Sequence, residues 1–365
     1  MFQDRIKKLQ TELPQLEIDA LLITSPYNII YLTGISAFSL EEREAHLLIT
    51  NTQCILFTDR RYTGHVKEVA PFVTLVEVNS ENPFLKALST TALSQKLAHI
   101  GFEKDNVSYV EYENFCDDLP KTDFIPTEHI IGELRTIKDA TEQVNLLKAA
   151  ELTDKTFTHI TSLLKVGIAE YQIQTEIEYF IKRNAGEIAF KPIVAFGKNS
   201  AIPHHSSNET LLQSGDIVLL DFGAKVGSYC SDMTRTVFLG SATDEQKKLY
   251  TTTLEAQEVA IDCLSKYKAE GFNLQNVHNA AVSHITSLGF PPTPHAIGHG
   301  VGLQVHESPV ISPYSDESVE AGMVVTVEPG IYLEGIGGIR IEDTILITPT
   351  GVELLNKSSK SLTII

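Results

Sequence analysis

IVLLDFGAKVGSYCSDMTRTVFL (217–239) and VVTVEPGIYLEGIGGIRIEDTILIT (324–348) decide the reading of this chain. Each is a pair of apolar, β-branched runs around a glycine-bearing centre, the pattern of a β-hairpin. In the first, strands over 217–226 and 229–239 with a turn centred on Val226-Gly227 set Asp221 opposite Asp232, with Cβ atoms roughly 4.5–5.5 Å apart. Leu219 and Thr234 fall on the same face, two residues along. Like charges placed opposite each other in an otherwise apolar hairpin call for a cation or a shared proton between them. In the second, strands over 324–333 and 339–348 with a turn in Glu334-Gly335-Ile336-Gly337 set Glu328 across from Glu342, and the glycines allow a bulge. One such carboxylate alone is ordinarily a solvated turn residue, so the inference rests on the four together. They make an oxygen-rich site suited to a hard divalent cation such as Mn²⁺; an added imidazole widens the choice to Co²⁺, Fe²⁺ or Zn²⁺.

The imidazole is at hand. PHAIGHGVGLQVHESP (294–309) carries His295, His299 and His306, and His299 stands between two glycines that let the backbone approach a ligand closely. IPHHSSNE (202–209) adds His204 and His205 in a loop between strands. A lone loop histidine is usually only surface; two clusters beside an acidic strand set favour catalysis.

Outward from the hairpins, Asp139 with Glu142 three residues on predicts a capped helix start. Val144, Leu147, Ala150, Phe157, Ile160 and Leu164 follow at helical spacing. Further helices are expected over 169–184, 244–268 and 274–288. Helices grouped against paired strands predict an α+β domain. Before it, apolar runs at 18–24, 46–50, 53–58, 72–78 and 99–103, with helices over 3–13 and 83–97, predict an α/β layer domain. The division is expected as 1–132 and 133–365.

Among 365 residues, 29 Lys and Arg against 47 Asp and Glu give a formal charge of −18. That argues against nucleic acid or an anionic membrane surface as the main partner. Cys54, Cys116, Cys230 and Cys263 form no close-spaced pair, which suits reduced thiols. With no apolar signal core at the N-terminus and no long apolar span, a cytoplasmic location is expected.

The chain resembles the Xaa-Pro dipeptidases and aminopeptidases P, the proline-specific pita-bread metallopeptidases. The resemblance is carried by NSAIPHH (199–205), LLDFGAKVGSYCSDMTRT (219–236), GHGVGLQVHESP (298–309), VVTVEPGIY (324–332) and GGIRIEDT (337–344). SPYNIIYLTGIS (25–36) and DRRYT (59–63) look like the family's N-terminal domain. The resemblance implies an α/β N-terminal domain followed by an α+β pita-bread catalytic domain. It implies two divalent metal ions, Mn²⁺ first and Co²⁺, Zn²⁺ or Fe²⁺ as alternatives. Asp221 would chelate one, Asp232 and Glu342 would bridge both, and His299 and Glu328 would hold the other. A hydroxide between the metals would be the nucleophile. His306 would stabilise the developing oxyanion, His204 would assist substrate binding or proton movement, and Glu328 would also accept a proton.

Thr234 reads as a hydrogen bonder to the bridging carboxylates. Arg340, two residues before Glu342, either meets a substrate carboxylate or offsets the crowded acids, and the second weighs more. His205 receives no role. The proline preference, a free N-terminus on a dipeptide or short peptide, and a homodimer rest on the resemblance alone. The alternatives are a methionine-selective aminopeptidase, a creatinase-like hydrolase without metals, and a non-catalytic binding module. Retention of all five ligand positions and both auxiliary histidines argues against the last two.

Overall fold

The computed structural model describes residues 1–268 and 270–365, and the chain divides into two compact units, Met1–Arg135 and Thr136–Ile365. The first is built on a six-stranded mixed sheet. Ala20–Ile23 pairs antiparallel with Ala45–Thr50, which pairs antiparallel with Cys54–Thr58; Thr74–Glu77 adds parallel at one edge. On the other side of Ala20–Ile23, His99–Glu103 and then Asp123–Thr127 pair parallel. The strand at 123–127 carries Pro126, which lacks a ladder donor and is tolerated because the strand lies at the sheet edge. Leu22, Leu48, Phe57, Leu88, Ile100 and Phe115 belong to the core beside this sheet.

His46 is buried in that core with its ring stacked on Phe84 at 3.5 Å between centroids. Burial, reinforced by repulsion from Arg43, lowers its pKa to about 3. An unfolded chain takes up that proton near 6.5, whereas the folded chain refuses it until near 3. Stability from this group is therefore complete above about pH 6.5 and is lost as pH falls toward 3. His46→Leu is expected to flatten the acid side of the stability profile, measured as melting temperature between pH 7 and 4.

In the second unit each acidic hairpin has its own pair of helices. Ala140–Thr161 and Glu170–Arg183 pack on the antiparallel sheet Met233–Phe238, Ile217–Phe222, Ile193–Phe196 through Ile160, Ile173, Ile177, Phe196, Leu220 and Val237. Asp244–Ser265 and Leu274–Ser287 share a core with the strands Val324–Val327 and Asp343–Thr348. The Asp139 carboxylate accepts from Thr141 N and Glu142 N, and Glu142 returns the bond, which starts the first helix where the sequence predicts. Of the expected apolar stripe, Ala150, Ile160 and Leu164 are buried and Phe157 packs against the same core, whereas Val144 is exposed. The buried line runs through Glu142, Leu146, Ala149, Thr153, Thr156 and Ile160, so small and hydroxylated residues make the close packing.

The first hairpin corrects the expected register. Its turn is Gly227-Ser228, both at positive φ (+56° and +71°), the two-residue type I′ geometry. Val226 therefore pairs with Tyr229, and Asp221 stands opposite Thr234, not Asp232. Asp232 lies two residues away along the partner strand, diagonal to Asp221. In the second hairpin the ladders on both sides of a gap share one register, Val327 with Asp343 and Gly330 with Arg340. That leaves Glu328 across from Glu342, as the turn position predicts.

Candidate metal centre

The ladders are interrupted at Asp232, Glu328 and Glu342, whereas Asp221 stays paired with Thr234. Residues 231–232 lie outside the regular strands opposite Gly223, with Ser231 N donating to the Ala224 carbonyl, and a Cβ at Gly223 would fall 1.7 Å from Ser231 O. Glu328-Pro329 and Ile341-Glu342 are unpaired in the second hairpin, and Pro329 has no N–H to offer. The short strand Gly298–Gly300 enters beside Val324–Val327, with Gly298 so close that a Cβ would meet Thr326 O at 2.0 Å.

Asp232, His299 and Glu342, all buried, each offer one ligand atom, and these lie within 4.8 Å of one another. His299 Nδ1 lies 3.1 Å from the Gly300 carbonyl oxygen, so this nitrogen carries the hydrogen and donates it. Nε2 is left facing Glu328 Oε1 at 3.3 Å and Asp232 Oδ2 at 3.6 Å. Such a second hydrogen bond is what fixes the tautomer of a metal-ligating histidine. Thr234 Oγ1 donates to Glu342 Oε2 at 2.6 Å. Asp232 Oδ1 and Glu342 Oε1 are the two carboxylate oxygens among the described residues that are buried with no hydrogen-bond partner. Asp221 is not among that trio, and its Oδ2 contacts the Arg340 guanidinium. Arg340 also donates to Thr234 Oγ1 (3.0 Å), Tyr332 Oη (2.8 Å) and the Pro203 carbonyl (3.3 Å). Arg340 thus pairs with an acid of the site, the more heavily weighted of its two sequence readings.

The electrostatics say the same. Burial and then repulsion from neighbouring carboxylates push Asp232 and Glu342 well above the ordinary carboxylate range. Burial also raises Asp221, against the pull of Arg340. Glu328 goes the other way: burial opposes its charge, but the hydrogen bond and charge of His299 hold it below the ordinary value. His299 in turn is carried to about 9 against its burial, by Glu328 and Asp232. Buried carboxylates crowded this closely, two of their oxygens unpartnered, match the donor set of a divalent cation, which replaces shared protons on binding.

The auxiliary histidines separate. His306 is exposed as a residue, but its ring is half-buried and lies 4.3 Å from the His299 ring, edge to face. His204 is exposed in its loop, whereas His205 is buried and bonds Glu170 Oε2 at 2.7 Å through Nε2, away from the acids. His295, noted in the sequence without a role, has Nε2 2.9 Å from Tyr332 Oη.

One group escaped the sequence reading altogether. Arg235 and Asp343, each 1% exposed in the side chain, form a 2.6 Å ion pair. Arg235 also donates to the Thr234 and Glu342 carbonyls. Gln257 Nε2 donates to Asp343 Oδ2 and the Val327 carbonyl, both at 3.1 Å, and Lys360 Nζ meets Asp343 Oδ2 at 2.8 Å. These donors reach backbone carbonyls beside the ladder gap, that of Thr234 also accepting from Glu342 N. The signal was the two-residue alternation, which turns Arg235 and Asp343 away from the face of Thr234 and Glu342.

The fold and the buried acid–imidazole cluster define a metallohydrolase. Metallopeptidase family M24 matches residues 144–349, and the Creatinase/Prolidase N-terminal domain matches residues 5–137. The chain belongs to metallopeptidase family M24, with a creatinase-like α/β domain ahead of a pita-bread catalytic domain. Members of this family act with divalent metal ions. The chain is 34% identical over 363 residues to the uncharacterized peptidase YqhT of Bacillus subtilis (strain 168), covering 99% of this chain and all of that one. Among solved structures it is similar to an Xaa-Pro dipeptidase from Bacillus anthracis, with TM-score 0.94, 33% identity and full coverage of both chains. It is also similar to an X-Pro aminopeptidase from Thermotoga maritima MSB8, with TM-score 0.88, 30% identity, and coverage of 97% and 100%. Among the described residues no helix is long and apolar enough to cross a membrane.

Proposed function

We propose that this peptidase hydrolyses the Xaa-Pro bond at the N-terminus of dipeptides or short peptides. Asp221, Asp232, His299, Glu328 and Glu342 would hold two divalent ions, Mn²⁺ first. The observation that carries the reading is the buried Asp232–His299–Glu342 cluster with its two unpartnered carboxylate oxygens. The substrate class is supported by the full-length similarity to the B. anthracis Xaa-Pro dipeptidase. When bound, the metal pair supplies a water acidified toward neutrality and a Lewis acid for the scissile carbonyl.

The protein's own groups divide the rest. Glu328, kept deprotonated by His299, is the proton acceptor. Arg340 pairs with Asp221 and favours its ionised form against the burial that opposes it. His306, whose pKa is lowered by burial and by repulsion from His299, is neutral near pH 7 and donates an N–H to the developing oxyanion. His204 meets the substrate at the mouth. A homodimer in the cytoplasm, with catalytic residues confined to 133–365, completes the proposal; four free cysteines suit a reducing compartment.

Hydrolysis of Ala-Pro beside Ala-Pro-Pro by Mn²⁺-loaded protein tests the reading. Cleavage of Ala-Pro marks a dipeptidase and cleavage of the tripeptide alone an aminopeptidase P; cleavage of neither refutes it. His306→Ala is expected to lower kcat on the order of a hundredfold with metal content near that of the parent, measured by elemental analysis. Loss of metal in that variant would reassign His306 to the ligands.

A further inference from the structure

We propose that Glu170 and His205 are positioning residues for His204: a buried carboxylate–imidazole pair that fixes the loop over 197–208 and so sets its exposed neighbour at the mouth of the metal centre. This rests on the reading above that His204 meets the substrate.

Glu170 is fully buried and is the first residue of the helix Glu170–Arg183, where a negative charge is favoured by the helix dipole. Both of its oxygens are occupied from the loop and its entry. Oε1 accepts from Phe196 N at 2.8 Å and Asn199 Nδ2 at 2.9 Å. Oε2 accepts from His205 Nε2 at 2.7 Å and Asn208 N at 3.0 Å. One carboxylate thus ties the chain before, within and after the segment that carries His204.

The same segment is seated on the second hairpin. Gly338 N donates to Ser200 Oγ at 2.8 Å, and Arg340 donates to the Pro203 carbonyl. Between these anchors the two adjacent histidines differ sharply: His205 is 8% exposed and bonded, and His204 is exposed. An inward His205 leaves the next side chain back along the chain facing outward. Arg340, which donates to the Pro203 carbonyl, also contacts Asp221 Oδ2, so the residue just before His204 is one side chain away from a carboxylate of the site. A buried pair with every acceptor used is more than a surface turn needs, and its geometric effect is to determine where His204 stands.

A double-mutant cycle tests this. His205→Phe fills the ring's space without a donor, and His205→Gln returns an N–H near the position of Nε2. Each is made alone and combined with His204→Ala, and Ala-Pro hydrolysis with Mn²⁺, Mn²⁺ affinity and melting temperature are measured. Misplacing His204 is expected to lower kcat roughly 10- to 100-fold, with Mn²⁺ affinity as in the parent, and His205→Gln should recover most of the loss. The His204→Ala/His205→Phe pair should be no slower than His204→Ala alone, because the second change acts only through the first. Glu170→Gln provides the same test if His205→Phe does not fold. Multiplicative losses, loss of Mn²⁺ affinity, or full activity in His205→Phe and Glu170→Gln would overturn the proposal while leaving the role of His204 intact. Full activity in His204→Ala would remove that role and the proposal with it.

Discussion

Glu342→Gln is expected to cut metal-supported turnover severely and, at the same time, to raise the melting temperature of the metal-free protein. The carboxylate is buried, one oxygen is unpartnered, and burial and then the charges of Asp232, Glu328 and Asp221 oppose its ionisation. Without a cation that arrangement costs stability, and a neutral amide of the same shape relieves it. With a cation the same oxygens are ligands, and an amide is a poorer one. Loss of several kcal/mol of transition-state stabilisation corresponds to a fall in kcat/KM on the order of a thousandfold. Kinetics with Mn²⁺ and thermal melting with and without it read both halves. A variant with unchanged activity would exclude Glu342 from the metal set.

Arg235→Met is expected to lower the melting temperature by roughly 10 °C, since breaking a buried pair costs about 3–5 kcal/mol and each kcal/mol moves a domain of this size by about 2–4 °C. The change strands Asp343 Oδ1 and the Glu342 carbonyl while Gln257 and Lys360 still hold Asp343 Oδ2. Because Glu342 hangs on that backbone, Mn²⁺ affinity should fall as well. Asp343→Asn, which keeps an acceptor for Arg235, should fall less on both counts. Melting scans and Mn²⁺ titration of the two variants provide the check.

Much of the catalytic unit was legible because its signals are local. The Asp139–Glu142 capping box fixed a helix start, and Glu334–Gly337 placed a turn that puts Glu328 opposite Glu342. The first hairpin resisted because its turn depends on Ser228 adopting positive φ, a conformation that the sequence does not announce, and one step in the turn moves the partner of Asp221 by two residues. The stripe of the helix beginning at Ala140 was legible at Ala150 and Ile160 but not at its start: threonines and alanines fill much of its buried line, so an apolar count took in the exposed Val144. In the first unit, Pro126 hid an edge strand. Within the site, the two hairpin patterns and the family resemblance gathered the acids and His299, but which oxygens lack partners, and that His205 turns to Glu170, depends on tertiary placement. Arg235, Asp343, Gln257 and Lys360 come from distant segments, and only the fold shows them as one group.

The central claim, proline-directed metallopeptidase activity, is tested most directly by one comparison. The protein is stripped of metal, Mn²⁺ is added back, and hydrolysis of Ala-Pro is measured beside Ala-Ala. The account predicts no cleavage of either peptide without metal and, on addition of Mn²⁺, cleavage of Ala-Pro well ahead of Ala-Ala. Mn²⁺ bound at the centre with no cleavage of Ala-Pro, or with Ala-Ala cleaved as fast, would contradict it.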